Sequence, residues 1–158
     1  LAKYQDYHIM ASFFTEHCYY FGETHIRNRG RDQAFFLSPM KTALGLGIRC
    51  ANHTDFNVSP LDQLFTIHTA VNRTSRPGAV LGDAERISAA EALEAITLSG
   101  ARMYGEEKTK GSIQPGKLAV LAGAPGTGKT TLAMRLAATV TSGGAWPDGS
   151  RAEASTSC

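Results

Sequence analysis

The chain has 158 residues, enough for one ordinary domain, with 42% hydrophobic residues and a formal net charge of +2. That balance is typical of a globular protein, and so small a charge names no partner; no nucleic-acid signature is evident and no apolar run is long enough to span a membrane. The three cysteines, Cys18, Cys50 and Cys158, show neither a paired framework nor C-x-x-C spacing, so a reducing, cytoplasmic setting is expected.

No charged-then-apolar leader opens the chain, and Leu1 stands inside an apparently continuing segment, which leads to the expectation of a fragment. Residues 9–17, IMASFFTEH, read as a buried strand ending in His17. Cys18 to Arg31 read as a loop, rich first in aromatics and then in arginines. A short helix is predicted over Pro39 to Leu46, closed by Gly45 and Gly47, and a second strand over Ile48 to Asp55. After Ser59-Pro60, the apolar positions Leu61, Leu64, Phe65, Ile67, His68 and Val71 recur at helical spacing. A loop from Thr74 to Arg86 follows, turning at Pro77-Gly78. Ser88-Ala89-Ala90-Glu91 fits a capping box and opens a helix predicted to run through Tyr104. Gly111 to Leu121 reads as two short strands around a Pro115-Gly116 turn.

Alternating strands and helices with polar residues at strand C-termini describe an α/β barrel or a doubly wound sheet, whose active site lies at those ends. Positions two apart on a strand share a face, so His53 and Asp55 are expected to point the same way. If His17 ends a neighbouring strand, an imidazole and a carboxylate converge at the mouth. That pair suits Zn²⁺ or another divalent metal, with the Asp able to take a proton from water. A histidine at a strand end also reads as a hydrogen-bonded structural residue. His53 reads either as support behind the metal ligands or as packing. His25 reads as a solvated loop histidine or as a contact to substrate, the run Arg27, Arg29, Arg31 as a solvated face or as a grip on an anionic substrate group, and His68 as a core histidine on its helix.

Further on, Gly123-Ala124-Pro125-Gly126-Thr127-Gly128-Lys129-Thr130 is a full G-x-x-x-x-G-K-[ST] phosphate-binding loop. Leu118, Val120 and Leu121 supply an apolar strand before it; Leu132, Leu136 and Val140 supply a helical stripe after it, stopped by Gly143-Gly144. Glycines at 123, 126 and 128 let successive N–H groups curl around a phosphate, and the helix N-terminus adds its dipole. Thr127 lies within the cradle, Lys129 would reach the β- and γ-phosphates, and the Thr130 hydroxyl would ligate the Mg²⁺ of Mg-ATP. No later strand ends in the acidic residue that a working nucleotidase needs, and Trp146 in the turn-rich 145–150 segment reads as a cap on the loop helix.

Two resemblances follow from these residues. TEHCYYFGETH, the run from Ser38 to Arg73, ISAAEALEAITLSGA and KGSIQPGKLA resemble the C-terminal part of the amidohydrolase superfamily over about residues 10–119. The nearest group is amidohydrolase family 3, the N-substituted formamide deformylase-like enzymes. The resemblance implies a metal-dependent hydrolase of C–N bonds in small-molecule amides, built on a TIM-type barrel with a small β-domain. It implies His17 as a metal ligand, and Asp55 as a ligand that also serves as general base. Residues 120–150 resemble the strand, loop and helix that open RecA-like and AAA-type ATPases.

The expected organisation is therefore α/β: part of a TIM-type barrel over residues 1–119, a β-loop-α phosphate-binding unit over 120–150, and a disordered tail over 151–158. Two metal ligands cannot fill a zinc shell, and about three strands cannot close an eight-stranded barrel. The expectation is an incomplete fragment, inactive alone and poorly soluble through its open sheet edges.

Overall fold

The computed structural model describes residues 1–113, 129–145 and 151; the side chains of residues 129–133 and 140 lie outside the description. The chain divides into two compact units, Leu1–Pro115 and Gly116–Cys158.

The first unit opens with a short exposed helix, α1 (Ala2–Asp6), and the strand β1 (Ala11–Phe13). Helices α2 (Glu16–Arg29), α3 (Arg31–Phe35) and α4 (Met40–Gly45) then lead back to β2 (Cys50–Asn52). The two strands pair in parallel, Ala11 with Cys50 and Phe13 with Asn52, so their C-terminal ends lie side by side. Helices α5 (Gln63–Asn72), α6 (Ala89–Ile96) and α7 (Leu98–Met103) complete the unit. This is a mixed α/β fold on a small, open parallel sheet, consistent with a portion of a larger α/β structure.

The core is built of small residues: Ala11, Ala43, Ala70, Ala92 and Ala95 are buried with Met40, Ile48, Cys50 and Ile87. Small side chains let the helices approach β2 closely. At α2, Gly22 makes room for the Leu81 side chain, since a Cβ there would stand 2.7 Å from it.

Several sequence expectations hold. Helix α4 falls inside the 39–46 prediction. Ser88 and Glu91 form the reciprocal capping box, with Oγ of Ser88 accepting from the Glu91 N–H at 3.2 Å and Glu91 Oε2 accepting from the Ser88 N–H at 2.7 Å. The Pro77-Gly78 turn is closed by the Ser75 N–H donating to the Ala79 carbonyl.

Others need correction. The Cys18–Arg31 segment is helix α2, not loop. The first strand stops at Phe13, because the chain turns at Thr15 into that helix, and His17 sits in its first turn rather than on a strand. The second strand stops at Asn52, short of His53 and Asp55. The 88–104 helix is two helices, broken at Thr97, whose hydroxyl bonds back to the Leu93 carbonyl at 2.7 Å. On α5 the buried face carries Thr66, Thr69 and Ala70, leaving Leu64 76% exposed. His68 is exposed beside Asn72 rather than in the core.

In the second unit, α8 (Lys129–Ser142) ends as predicted, with Gly143 at φ 63° and the Gly144 N–H bonding to the Thr139 carbonyl. Gly123, Gly126, Thr127, Gly128 and Trp146 lie outside the described residues; of the two short strands predicted over Gly111 to Leu121, residues 111–113 are not strand and the rest lie outside the described residues. Lys129 and Thr130 are the first two residues of α8, and their side chains are not described. Among the described residues no helix is long and apolar enough to cross a membrane.

Candidate active site

The C-terminal ends of β1 and β2 carry a cluster of imidazoles around one phenylalanine. Phe14 follows β1 and is 6% exposed. Its ring lies 4.3 Å from that of His17 and stacks on that of His53 at 5.5 Å, with 18° between the planes. His17 and His25 lie two turns apart on α2, and their rings approach to 5.6 Å. Phe21, between them in sequence and 38% exposed, meets His17 edge-on at 5.6 Å. His25 therefore belongs to the cluster, against the expectation of a solvated loop histidine.

Asp55 is exposed in the turn just after β2, at φ 52°. Asp and Asn tolerate this left-handed region better than most residues. Its carboxylate is close enough to act on His17. Burial, then His25 and His53, pull the His17 pKa below its ordinary value, while Asp55 pulls it up. The net result is an imidazole that is neutral at pH 7, with a lone pair to accept a proton or meet a cation. Arg27, Arg29 and Arg31 are exposed; Arg27 reaches Thr24 and Arg31 covers the Phe35 ring at 4.6 Å, so the solvated reading of that run holds.

Beneath the cluster runs a buried polar chain that sequence reasoning did not find. Asn52 Oδ1 accepts from the backbone N–H groups of Thr15 and His53, both at 3.2 Å, and its Nδ2 donates to Thr15 Oγ1 at 2.8 Å. The Thr15 and Thr69 hydroxyls meet at 2.9 Å, and Thr69 Oγ1 donates to the Thr66 carbonyl at 2.9 Å. Thr66 Oγ1 donates to Glu16 Oε1 at 2.7 Å, while the buried Glu16 Oε2 has no hydrogen-bond partner among the described residues. A second missed residue is Arg73, fully buried, which donates to the carbonyls of Leu81, Leu37, Ser38 and Phe35. The Ser38 hydroxyl in turn donates to the Phe14 carbonyl at 2.9 Å, so Arg73 braces the segment behind the cluster.

The donors His17, Asp55, His53 and His25 are of the right kinds for a divalent cation. Their number in one place is not: among the described residues no three His, Cys, Asp or Glu side chains come together to hold a metal ion. A cleft of about 590 Å³ between α1 and the Gly47 turn lies at the opposite, N-terminal ends of the strands.

A parallel β–α–β arrangement with imidazoles and a carboxylate at the strand C-termini is the layout of an α/β enzyme portion. The amidohydrolase family matches residues 5–125, and the chain belongs to that family. The match runs past 119 and into the first residues of the glycine-rich motif. Two solved structures share the fold. An uncharacterized metal-dependent hydrolase from Pyrococcus furiosus superposes with a TM-score of 0.60 at 24% identity, over 75% of this chain. One from Pyrococcus horikoshii OT3 gives 0.61 at 20% identity, again over 75% of this chain. The chain spans 24% of the length of each. No curated protein matches the sequence.

Proposed function

We propose that this chain carries one wall of a hydrolase site acting on C–N bonds of small amides, with Asp55 as the proton acceptor. The observation that carries it is an exposed carboxylate in a left-handed turn at a strand exit, within electrostatic reach of a half-buried, neutral His17. Family membership and the metal-dependent hydrolases that share the fold support the same reading. His17 and Asp55 would be two donors to a divalent cation such as Zn²⁺, the others coming from outside the described residues. When bound, such a cation supplies Lewis-acid polarisation of the carbonyl. Asp55 takes a proton from the attacking water and returns it to the leaving amine. Phe14 and Phe21 keep water from the flanks of His17. The unpaired, buried Cys18 and Cys50 fit a reducing, cytoplasmic setting.

The test is hydrolysis of N-formyl and N-acyl amines by the full chain supplied with Zn²⁺. Asp55→Asn, which keeps the turn, is expected to lower kcat by about 100-fold or more. Equal turnover by Asp55→Asn, or a wild-type chain that neither binds Zn²⁺ nor hydrolyses any amide, removes the reading.

A second reading is Mg-ATP binding at Gly123, Gly126, Thr127, Gly128, Lys129 and Thr130. The helical state of Lys129 and Thr130, where the motif requires a helix, favours it. Nucleotide titration that is unchanged by Lys129→Ala eliminates it.

A further inference from the structure

The β1–β2 ladder ends at the pair Phe13 and Asn52, before any residue of the imidazole cluster is reached. Beyond it β1 bends into α2 and β2 into the Asp55 turn, and one last backbone bond, the His53 N–H donating to the Phe13 carbonyl at 3.0 Å, crosses at the fork. The Asn52 side chain stands at this fork. Its oxygen accepts one N–H from each segment, Thr15 on one side and His53 on the other. Its amide donates to the Thr15 hydroxyl.

The Thr15 hydroxyl receives the Asn52 amide and meets the Thr69 hydroxyl at 2.9 Å, and both hydroxyls reach the Thr66 carbonyl, Thr69 at 2.9 Å and Thr15 at 3.4 Å. The chain runs from Asn52 through Thr15 and Thr69 to the Thr66 carbonyl, and its bonds polarise one another. Asn52 is 6% exposed, Thr15 0% and Thr69 1%, so no water competes for these bonds. Thr15 sits at the N-terminus of α2 yet makes no side-chain cap for it, since its hydroxyl is committed to this chain.

We infer that Asn52 and Thr15 are positioning residues that set the separation of His17 from His53 and Asp55. They touch no reacting atom themselves. Its consequence for catalysis rests on the hydrolase reading; the placement of the rings does not.

The test exploits Phe14, whose ring lies against both His17 and His53 and so shifts their ring-proton resonances. Histidine ring spectra of the full chain are compared for wild type, Thr15→Val, Thr15→Ser and Asn52→Leu. Thr15→Val keeps the volume and deletes the hydroxyl; Thr15→Ser keeps the hydroxyl. In folded Thr15→Val and Asn52→Leu, both histidines are expected to move and the Phe14–His53 proximity signal to weaken, while Thr15→Ser stays at the wild-type positions. A Thr15→Val protein with a lowered Tm but unmoved histidine resonances overturns the inference, because the chain then only stabilises. If Asn52→Leu does not fold, the Thr15 pair decides. Where wild type hydrolyses an amide and Asp55→Asn does not, Thr15→Val is expected to lower kcat about 100-fold. If Asp55→Asn hydrolyses normally, the hydrolase reading fails, and the ring spectra still decide the positioning role.

Discussion

Replacing Arg73 is expected to be among the most damaging single changes to the first unit. The residue occupies a left-handed C-cap, φ 51° and ψ 37°, where glycine is the usual choice, so its side chain must outweigh the backbone cost. It is fully buried, and burial pulls its pKa below the ordinary value, with Cys18 and Glu85 opposing. Nε donates to the Leu81 carbonyl at 2.7 Å on one side; NH2 donates to the Leu37 carbonyl at 2.6 Å, and NH1 to Ser38 at 3.2 Å, on the other. In Arg73→Met these carbonyls lose their partner. Leu81 is 0% exposed and cannot turn to water, so its carbonyl bears the full penalty of about 1–3 kcal/mol. Leu37 and Ser38 are half-buried and regain part of theirs. Relief of the buried charge offsets some of the rest. The expected net loss is about 3 kcal/mol, which at a slope of about 2 kcal/mol per M moves the urea midpoint down by about 1.5 M. Arg73→Lys keeps the charge but cannot span carbonyls on opposite sides, and is expected to lose nearly as much. Urea unfolding followed by far-UV circular dichroism reads both variants. A lysine variant within about 0.5 kcal/mol of wild type refutes the argument, because charge alone would then suffice.

Gly82→Ala is expected to destabilise more than Gly22→Ala in the same assay. At Gly82, φ is +63° and a Cβ would stand 2.0 Å from the Phe35 carbonyl oxygen, whereas at Gly22 it meets the movable end of Leu81. Ser88→Ala should cost about 1 kcal/mol through loss of the cap. Glu91 has its pKa lowered by the Ser88 hydrogen bonds, so its contribution is complete above the ordinary carboxylate value of 4.5 and is lost as the pH falls through the lower folded value. The stability gap between wild type and Glu91→Gln should therefore be present at pH 7 and close below pH 4.5; a gap that persists in acid contradicts this. Cys18 is fully buried with its pKa raised by burial, and burial pushes Cys50 to about 11, so neither should react with a thiol reagent at pH 8 until the chain unfolds.

What the sequence made legible was local. The capping box, the Pro77-Gly78 turn and the Gly143 stop are fixed by residues a few positions apart, and all three stand in the structure. Helix α2 was hidden because EHCYYFGETHIRNR is rich in aromatics and carries Gly22, which lowers its intrinsic propensity. Its glycine makes sense only beside Leu81, 59 positions away in the chain. His17, His53 and Asp55 could be singled out by type, but the reason given for their meeting was wrong. Strand alternation does not aim them, since none lies on a strand. Arg73 and Asn52 carried no signal, because a buried arginine bonded to carbonyls and an asparagine bridging two strand exits are defined by partners distant in sequence.

These misses share a cause that bears on how the site is held. Each strand has only three residues, below the usual strand length of about 5–6, and a pair so short gives weak register on its own. A one-residue slip would turn the faces of Cys50, Ala51 and Asn52 and displace the start of the His53–Asp55 turn relative to His17. The core beside the strands is largely alanine, with little shape to resist such a slip. Directional bonds resist it better: a shifted β2 would remove Asn52 from the Thr15 N–H and hydroxyl and leave the Thr15–Thr69 chain unmatched in a buried place. The polar chain beneath the cluster therefore does for the site what a longer ladder does elsewhere. Lengthening the apolar contacts of β1 and β2 alone, for example with Ala51→Val, should not restore the ring positions lost in Thr15→Val.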